Sequence, residues 1–131
     1  MSENNLYTQI LLIDDDEINN FLNNKFLKRY NPEVKVDICI SAITALEKLN
    51  DEYNPNLILL DLNMPQINGW SFLDEFRKKN KKIPVIILTS SIDPHDHIKS
   101  KRYEEVIDFI EKPLSTIKIS RIFENILKEK T

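Results

Sequence analysis

The chain has 131 residues, of which 41% are apolar and 30% are charged, and its net charge is −3 at pH 7. This length is that of one domain, while the mild acidity argues against a nucleic-acid-binding protein and no apolar run approaches the ~20 residues of a membrane span. The single cysteine, Cys39, excludes an internal disulfide, and the single glycine, Gly69, excludes the glycine-rich loops that bind nucleotide phosphates.

The first predicted strand is the apolar run QILLI (9–13), and three aspartates and a glutamate follow it directly. We interpret Asp16 and Glu17 as the start of a helix, because negative charge is favourable at a helix N-terminus. The apolar residues after them recur every three or four positions, as in a helix. These residues are Ile18, Phe21, Leu22, Phe26 and Leu27.

The second predicted strand, VKVDICI (34–40), differs from the first because apolar and polar residues alternate along it. Alternation is typical of a strand that is buried on one face only, and we therefore place it at an edge of the sheet. The segment 41–52 after it has a helical pattern with Ile43, Leu46 and Leu49 on one face. Ser41 is a suitable N-cap for this helix.

The remaining strands are predicted at NLILL (56–60), IPVIIL (83–88) and VIDFI (106–110). The runs at 56–60 and 83–88 are almost continuously apolar, as are strands that are buried on both faces. Helical patterns lie between and after these strands. They cover 68–82 with Phe72, Leu73 and Phe76, the polar segment 93–105, and 115–130 with Ile119, Ile122, Phe123, Ile126 and Leu127.

Strand and helix thus alternate five times along the sequence. This order predicts an α/β fold, with a five-stranded parallel sheet that helices cover on both faces. Ligands of such folds bind beyond the carboxyl ends of the strands. The residues that follow each predicted strand are therefore the first candidates for a functional site.

Reactive side chains follow four of the five predicted strands. Asp14 and Asp15 follow the first strand, Asp61 the third, Thr89 the fourth, and Lys112 the fifth after one intervening residue. Clustered carboxylates are stable when a hard cation neutralises them, and Mg²⁺ suits one or two carboxylates with water. With a hydroxyl and an ammonium beside it, such a set can hold a phosphoryl group while a carboxylate acts as nucleophile.

Four segments, LLIDDDE, LILLDLNMPQINGW, VIILTSS and DFIEKPL, resemble the signature segments of bacterial response-regulator receiver domains in order and spacing. The resemblance implies a flavodoxin-like sheet with the strand order 2-1-3-4-5. It also implies a phosphoacceptor that serves a two-component or phosphorelay system and catalyses only its own aspartyl phosphorylation and dephosphorylation. Each motif alone is only moderately specific, but the four together are highly specific.

The resemblance also assigns roles to individual residues. Asp61 is similar to the aspartate that receives the phosphoryl group, Asp15 to the direct Mg²⁺ ligand, and Asp14 to the acid that holds the ion mainly through water. The backbone carbonyl of Asn63 completes the protein ligands. Two residues resemble the switch, the hydroxyl of Thr89 and the aromatic ring of Phe109. Lys112 resembles the lysine that pairs with the phosphoryl group, and its bond to Pro113 is often cis in the family.

The sequence departs from the family at two places. The family commonly has Gly-Ala before the fifth strand, where this chain has Glu105 and Val106, so a different path of the preceding loop is expected. Phe109 stands where tyrosine is more usual, so the switch lacks a phenolic hydroxyl. Neither change affects the acids, the hydroxyl or the lysine.

Two other functions remain open at this level. DDDEI (14–18) approximates the D-x-D-x-T/V motif of haloacid-dehalogenase-type phosphohydrolases, with Asp14 as nucleophile, but Ile18 replaces the Thr or Val. A receiver domain that acts without phosphorylation is the other, and the intact acids, Thr89 and Lys112 argue against it. Ser90 or Ser91 is a possible cap of the fourth helix, His95 and His97 are expected to be surface residues, and Trp70 is expected to be a packing residue.

The expected partners are a sensor histidine kinase or phosphotransfer protein, and a downstream protein that binds the fourth helix, fifth strand and fifth helix. No nucleic-acid or membrane partner is expected, and the oligomeric state is expected to be a monomer or weak homodimer. Because the N-terminus has no signal or lipidation pattern, we expect a cytoplasmic protein with one receiver domain over residues 1–131.

Overall fold

The computed structural model describes residues 8–64, 66–91 and 93–130. Strands and helices alternate along these ranges, as the sequence predicts. The strands are β1 (Gln9–Ile13), β2 (Lys35–Cys39), β3 (Leu57–Leu60), β4 (Val85–Thr89) and β5 (Val106–Glu111). The helices are α1 (Glu17–Tyr30), α2 (Ala42–Lys48), α3 (Gly69–Arg77), α4 (Pro94–Ser100) and α5 (Thr116–Lys130).

All neighbouring strands are parallel, and their order in the sheet is β2-β1-β3-β4-β5. This confirms the α/β fold and the strand order that the resemblance implies, with β2 at an edge. The register of β4 against β5 shifts between Val85 and Ile86. Beside this irregularity, the Glu105 carbonyl accepts a hydrogen bond from the Val85 N–H at 2.7 Å, and the Glu105 carboxylate lies 3.4 Å from Arg77.

The core has two layers, one on each face of the sheet. Side chains of α2 and α3 cover one face, and those of α1 and α5 cover the other. Successive residues of β1 point to opposite layers, because side chains alternate along a strand: Leu11 and Ile13 join the first, and Ile10 and Leu12 the second. The central strands are therefore buried on both faces, as their continuous apolar sequences predict.

The structure changes three details of the sequence interpretation. The apolar pattern of α1 identifies the helix, but Ile18 and Phe21 are exposed while Asn20 and Asn23 are buried. In β2 the predicted alternation fails, because Ile38 and Ile40 are 40% and 54% exposed whereas Cys39, which alternates with them, is buried. Asp93, not Ser90 or Ser91, caps α4, and its carboxylate accepts a hydrogen bond from the His95 N–H.

Other predicted details are confirmed. Ser41 caps α2, and Phe72, Leu73 and Phe76 of α3 face the core. The Lys112–Pro113 peptide bond is cis. Within the described part of the chain, none of the helices combines the length and the apolar character that crossing a membrane requires.

Candidate functional site

The predicted site residues meet at the carboxyl edge of the sheet. Asp14 and Asp15 directly follow β1, Asp61 directly follows β3, Thr89 ends β4, and Lys112 directly follows β5. Parallel strands bring their carboxyl ends to one edge, and this explains why residues far apart in sequence converge. The Lys112 ammonium lies 2.5 Å from a carboxylate oxygen of Asp14 and 3.6 Å from one of Asp61.

Three carboxylates form the acidic part of this site. One oxygen from each of Asp14, Asp15 and Asp61 lies within 4.8 Å of the others. Asp14 is 1% exposed and Asp61 is 6% exposed, whereas Asp15 faces solvent. Oxygen ligands of this kind suit Mg²⁺, and among the described residues no other group of three acidic, histidine or cysteine side chains is close enough to hold a metal.

The electrostatic environment of Asp61 also favours a cation. Burial raises the pKa of its carboxyl, the Lys112 ammonium lowers it, and the Asp14 carboxylate raises it again, so that the pKa is above its ordinary value. Lys112 neutralises one of the two buried negative charges that it contacts. A divalent ion at the three carboxylates would remove the remaining repulsion and favour the ionised form of Asp61.

Asp14 is held through both its backbone and its carboxylate. Its N–H donates to the Cys39 carbonyl at 3.1 Å, and its carboxylate accepts from the Asp16 N–H at 2.9 Å. Asp16 itself caps α1, since its carboxylate accepts hydrogen bonds from the N–H groups of Ile18 and Asn19. Asp16 therefore starts the helix, as the sequence predicts, while cation binding by Asp14 and Asp15 stays a prediction.

One residue of this segment carries no signal in the apolar pattern. The side-chain amide of Asn20 donates a hydrogen bond of 2.8 Å to the backbone carbonyl of Asp14. Asparagine is a weak helix former, so its place inside α1 is a weak sequence clue, but the contact with Asp14 is visible only in the structure.

The residues predicted to form the switch lie on the neighbouring strands β4 and β5. Thr89 is fully buried, and its hydroxyl oxygen accepts a hydrogen bond from the Ser91 N–H at 3.2 Å. The side-chain amide of Asn63 lies 3.5 Å from the same oxygen. The Phe109 ring is half-buried on β5 and stacks on the His97 ring of α4, with their centroids 4.9 Å apart.

Asn63 also reaches the phosphoacceptor candidate through its backbone. Its N–H donates to the Asp61 carboxylate at 3.3 Å. The loop after β3 thus turns back toward Asp61, although the predicted coordination by the Asn63 carbonyl remains a prediction.

The remaining predictions, of surface histidines and a packing tryptophan, agree with the surroundings of these residues. His95 and His97 are exposed, and His95 pairs with Asp93 at 3.0 Å. Trp70 is half-buried and stacks on Tyr103, with their centroids 5.6 Å apart, as expected of a packing residue.

Comparisons with known proteins agree with this fold. The family model described as the response regulator receiver domain matches residues 10–124. The two-component response regulator ORR11 of Oryza sativa subsp. indica is 31% identical over 120 residues, which are 90% of this chain and 80% of the rice protein. A two-component response regulator from Cytophaga hutchinsonii, known from its crystal structure, is 34% identical with a TM-score of 0.82, over 92% of this chain and 97% of that one.

Other relatives are much longer than this chain. The protein-glutamate methylesterase/protein-glutamine glutaminase of Treponema denticola is 36% identical over 107 residues, which are 80% of this chain but 28% of that protein. The chain thus spans less than a third of that relative, and the similarity concerns the segment they share.

Proposed function

The chain belongs to the response regulator receiver domain family, and on that premise we propose that it is a phosphoacceptor switch of a two-component system. Asp61 receives the phosphoryl group from a phosphohistidine of a sensor histidine kinase or phosphotransfer protein. The observation that carries this proposal is the convergence of buried Asp61 with Asp14, Asp15 and Lys112 at the end of the sheet.

In the transfer step, a carboxylate oxygen of Asp61 forms a bond to phosphorus while the bond from phosphorus to the donor's imidazole nitrogen breaks. The bond's electron pair leaves with the imidazole. Charge on the transferred oxygens must be neutralised for this reaction. Lys112, 3.6 Å from the Asp61 carboxylate, supplies a positive charge, and the Thr89 hydroxyl supplies a hydrogen-bond donor. Mg²⁺, held by Asp14, Asp15, Asp61 and the Asn63 carbonyl, would supply the remaining charge.

The rival nucleophile, Asp14, is less suited to this chemistry. One of its carboxylate oxygens accepts from Lys112 at 2.5 Å and the other from the Asp16 N–H at 2.9 Å. The Lys112 ammonium lies 3.6 Å from Asp61, so its closer ion pair is the one with Asp14. The environment of Asp14 therefore supports a structural and electrostatic role rather than the hydrolase alternative.

Incubation with acetyl phosphate and Mg²⁺, followed by mass spectrometry, tests the identity of the nucleophile. We expect a phosphoryl adduct on the parent protein that is absent from Asp61→Asn, because the amide cannot act as nucleophile. Localisation of the adduct by fragmentation is the check. An adduct that survives Asp61→Asn and disappears in Asp14→Asn would overturn the proposal.

The start of α1 offers a surface for the phosphodonor protein. Ile18, Phe21 and Leu22 are 72%, 61% and 41% exposed, and they follow the acidic segment on the first turns of the helix. A contiguous set of exposed apolar side chains beside a reactive centre is a common mark of a protein-binding surface. A donor that brings its phosphohistidine to Asp61 at this edge of the sheet would cover them.

Phe21→Ala tests this surface against a donor kinase from the source organism that phosphorylates the parent protein. We expect the efficiency of transfer from the kinase to fall about tenfold, the effect of losing ~1.4 kcal/mol of binding. Labelling by acetyl phosphate should be unchanged, since it needs no protein contact. Leu127→Ala is the matched control, because Leu127 is also an exposed apolar residue but lies near the C-terminal end of α5. Equal losses with both donors, or in both variants, would contradict the assignment.

The output of the switch is proposed to pass through α4, β5 and α5 to a downstream protein. Phosphorylation changes the hydrogen bonds available to Thr89, and the ring of Phe109 moves with it between two pre-existing states. The stacking of Phe109 on His97 supports a link between β5 and α4. Chemical-shift changes on adding beryllofluoride and Mg²⁺ should therefore extend from Asp61 to His97; changes confined to the loops after β1 and β3 would contradict this output surface.

A further inference from the structure

Three asparagines of α1, Asn20, Asn23 and Asn24, have a buried side-chain polar atom without a hydrogen-bond partner, and the first two are themselves buried. Asn20 is 3% exposed and Asn23 is 6% exposed. The Oδ1 atom of Asn20 and the Nδ2 atom of Asn23 are buried and have no hydrogen-bond partner. A buried polar atom without a partner destabilises a fold, and an aliphatic side chain of similar size avoids that cost. Packing alone therefore does not explain why asparagine occupies position 20.

The one hydrogen bond that the Asn20 amide makes is directed at the site. Its Nδ2 donates to the carbonyl oxygen of Asp14 at 2.8 Å, in a buried environment. That carbonyl belongs to the peptide group that joins Asp14 to Asp15. The hydrogen bond therefore limits rotation of the backbone between the two adjacent acids.

The direction of the Asp15 carboxylate depends on the hydrogen bond from Asn20 more than the directions of the Asp14 and Asp61 carboxylates do. Asp14 and Asp61 are buried and are held by Lys112 and by backbone N–H groups. Asp15 is exposed, and among the described residues its side chain has no hydrogen-bond or ion-pair partner. The direction of the Asp15 carboxylate is thus set by the position of its own backbone.

We propose that Asn20 is a positioning residue for the cation site, which holds the Asp14–Asp15 peptide so that the Asp15 carboxylate faces the other two acids. This inference rests on the proposed function, because Asn20 would orient a ligand of the Mg²⁺ site proposed there. Residues that orient metal ligands typically change metal affinity 10–100-fold when they are replaced. A site with three carboxylates retains its other ligands, so we expect an effect of about tenfold.

Asn20→Leu is the test substitution, because leucine is similar in size and removes both the donated hydrogen bond and the unpartnered oxygen. Mg²⁺ binding is measured by calorimetric titration, and stability without Mg²⁺ by urea unfolding. We expect the dissociation constant for Mg²⁺ to rise about tenfold, with only a small change in stability, because the substitution removes the unpartnered Asn20 oxygen but leaves the Asp14 carbonyl without its donor. A residue that served packing alone would change stability and leave Mg²⁺ affinity unaltered.

Asn23→Leu is the matched control. Asn23 lies one turn further along the same helix, is similarly buried and also has an unpartnered polar atom, but it makes no hydrogen bond to the site. Its replacement should leave Mg²⁺ affinity unchanged. Equal losses in the two variants would show a general effect of α1 packing and would overturn the inference. If Asn20→Leu does not fold, Asn20→Ala is measured in its place with the same expectation.

The parent protein and Asp15→Ala separate failure of the inference from failure of the proposed function. Parent binding that is no tighter than that of Asp15→Ala would overturn the proposed Mg²⁺ site, and the role of Asn20 with it. Parent binding that depends on Asp15 but is unaltered by Asn20→Leu would overturn the positioning role alone. Recovery of affinity in Asn20→Gln, which retains an amide donor, would support the hydrogen bond as the cause.

Discussion

Helices α1 and α3 start at the same edge of the sheet, two residues after Asp15 and eight after Asp61, yet they bury different kinds of side chain. The buried residues of α3 include Phe72, Leu73 and Phe76, and its polar residues face solvent. The buried residues of α1 are Asn20, Asn23 and Leu27. The difference shows that two helices with similar positions in a fold can be kept there by different physical causes.

The helix α3 is held by apolar burial. The rings of Phe72 and Phe76 stack with their centroids 5.6 Å apart within the layer that α2 completes. The helix α1 has less apolar surface against the sheet, and its first turns expose Ile18 and Phe21. We infer that α1 packs less tightly because its buried side contacts the acidic segment and its exposed side carries the proposed donor surface.

The largest effect is expected from truncating one aromatic ring in each helix. Phe72→Ala removes a fully buried side chain and should lower the free energy of unfolding by about 3–5 kcal/mol. Phe21→Ala removes a side chain that is 61% exposed, and its effect should stay within about 0.5 kcal/mol. Urea unfolding of both variants measures the difference. A cost at Phe21 of more than half that at Phe72 would show that α1 packs by the same means as α3.

The sequence predicts the frame of the molecule well because its signals are strong and local. Continuous apolar runs identify β1, β3 and β4, and an aspartate directly follows both β1 and β3. Parallel pairing then brings Asp14 and Lys112 together although they are 98 residues apart. The convergence follows from the strand order, which the family resemblance supplied, and does not require knowledge of any loop.

The buried face of α1 is harder to predict because two helical patterns overlap there. Asn20, Asn23 and Leu27 are spaced by three and four residues, and so are Ile18, Phe21 and Leu22. Periodicity identifies a helix in either case, and hydrophobicity favours the wrong face. Only the tertiary contact of Asn20 with the Asp14 carbonyl distinguishes them.

The cap of α4 was predictable from the proline that follows Asp93, although two serines nearby are also suitable caps. Ser90, Ser91 and Asp93 are all suitable N-caps. Proline is favoured at the first position of a helix, and Pro94 therefore indicates Asp93 as the cap, as the structure has it. Ser91 instead donates a hydrogen bond of 2.5 Å to the Asp96 carboxylate on α4.

An intermediate effect is expected where α3 approaches the site loop most closely. A Cβ atom on Gly69 would lie 2.8 Å from the carbonyl oxygen of Asp61 and 2.9 Å from the Cα of Leu62. Both are backbone atoms, so the helix or the loop must shift, and Gly69→Ala should cost about 1–3 kcal/mol of stability. Because Asp61 is on that loop, labelling by acetyl phosphate should slow as well.

Ile18→Ala is the corresponding control on the first turn of α1, where the side chain is 72% exposed. It should change neither stability nor labelling by acetyl phosphate appreciably. If Gly69→Ala behaves like Ile18→Ala in urea unfolding and in labelling rate, the close contact between α3 and the Asp61 loop is not a constraint on the site.

The smallest effect should be shared by the two helices, because their first turns are satisfied in the same way. The Asp16 carboxylate accepts from the N–H groups of Ile18 and Asn19, and the Asn68 side chain accepts from the Ser71 N–H. Asp16→Ala and Asn68→Ala should each cost about 1 kcal/mol of stability in urea unfolding.

Asp16→Ala should also largely spare Mg²⁺-dependent phosphorylation, which Asp15→Ala should abolish. Equal losses of phosphorylation in the two variants would mean that Asp16 contributes to the cation site as much as Asp15 does, and that the boundary between them has no functional meaning.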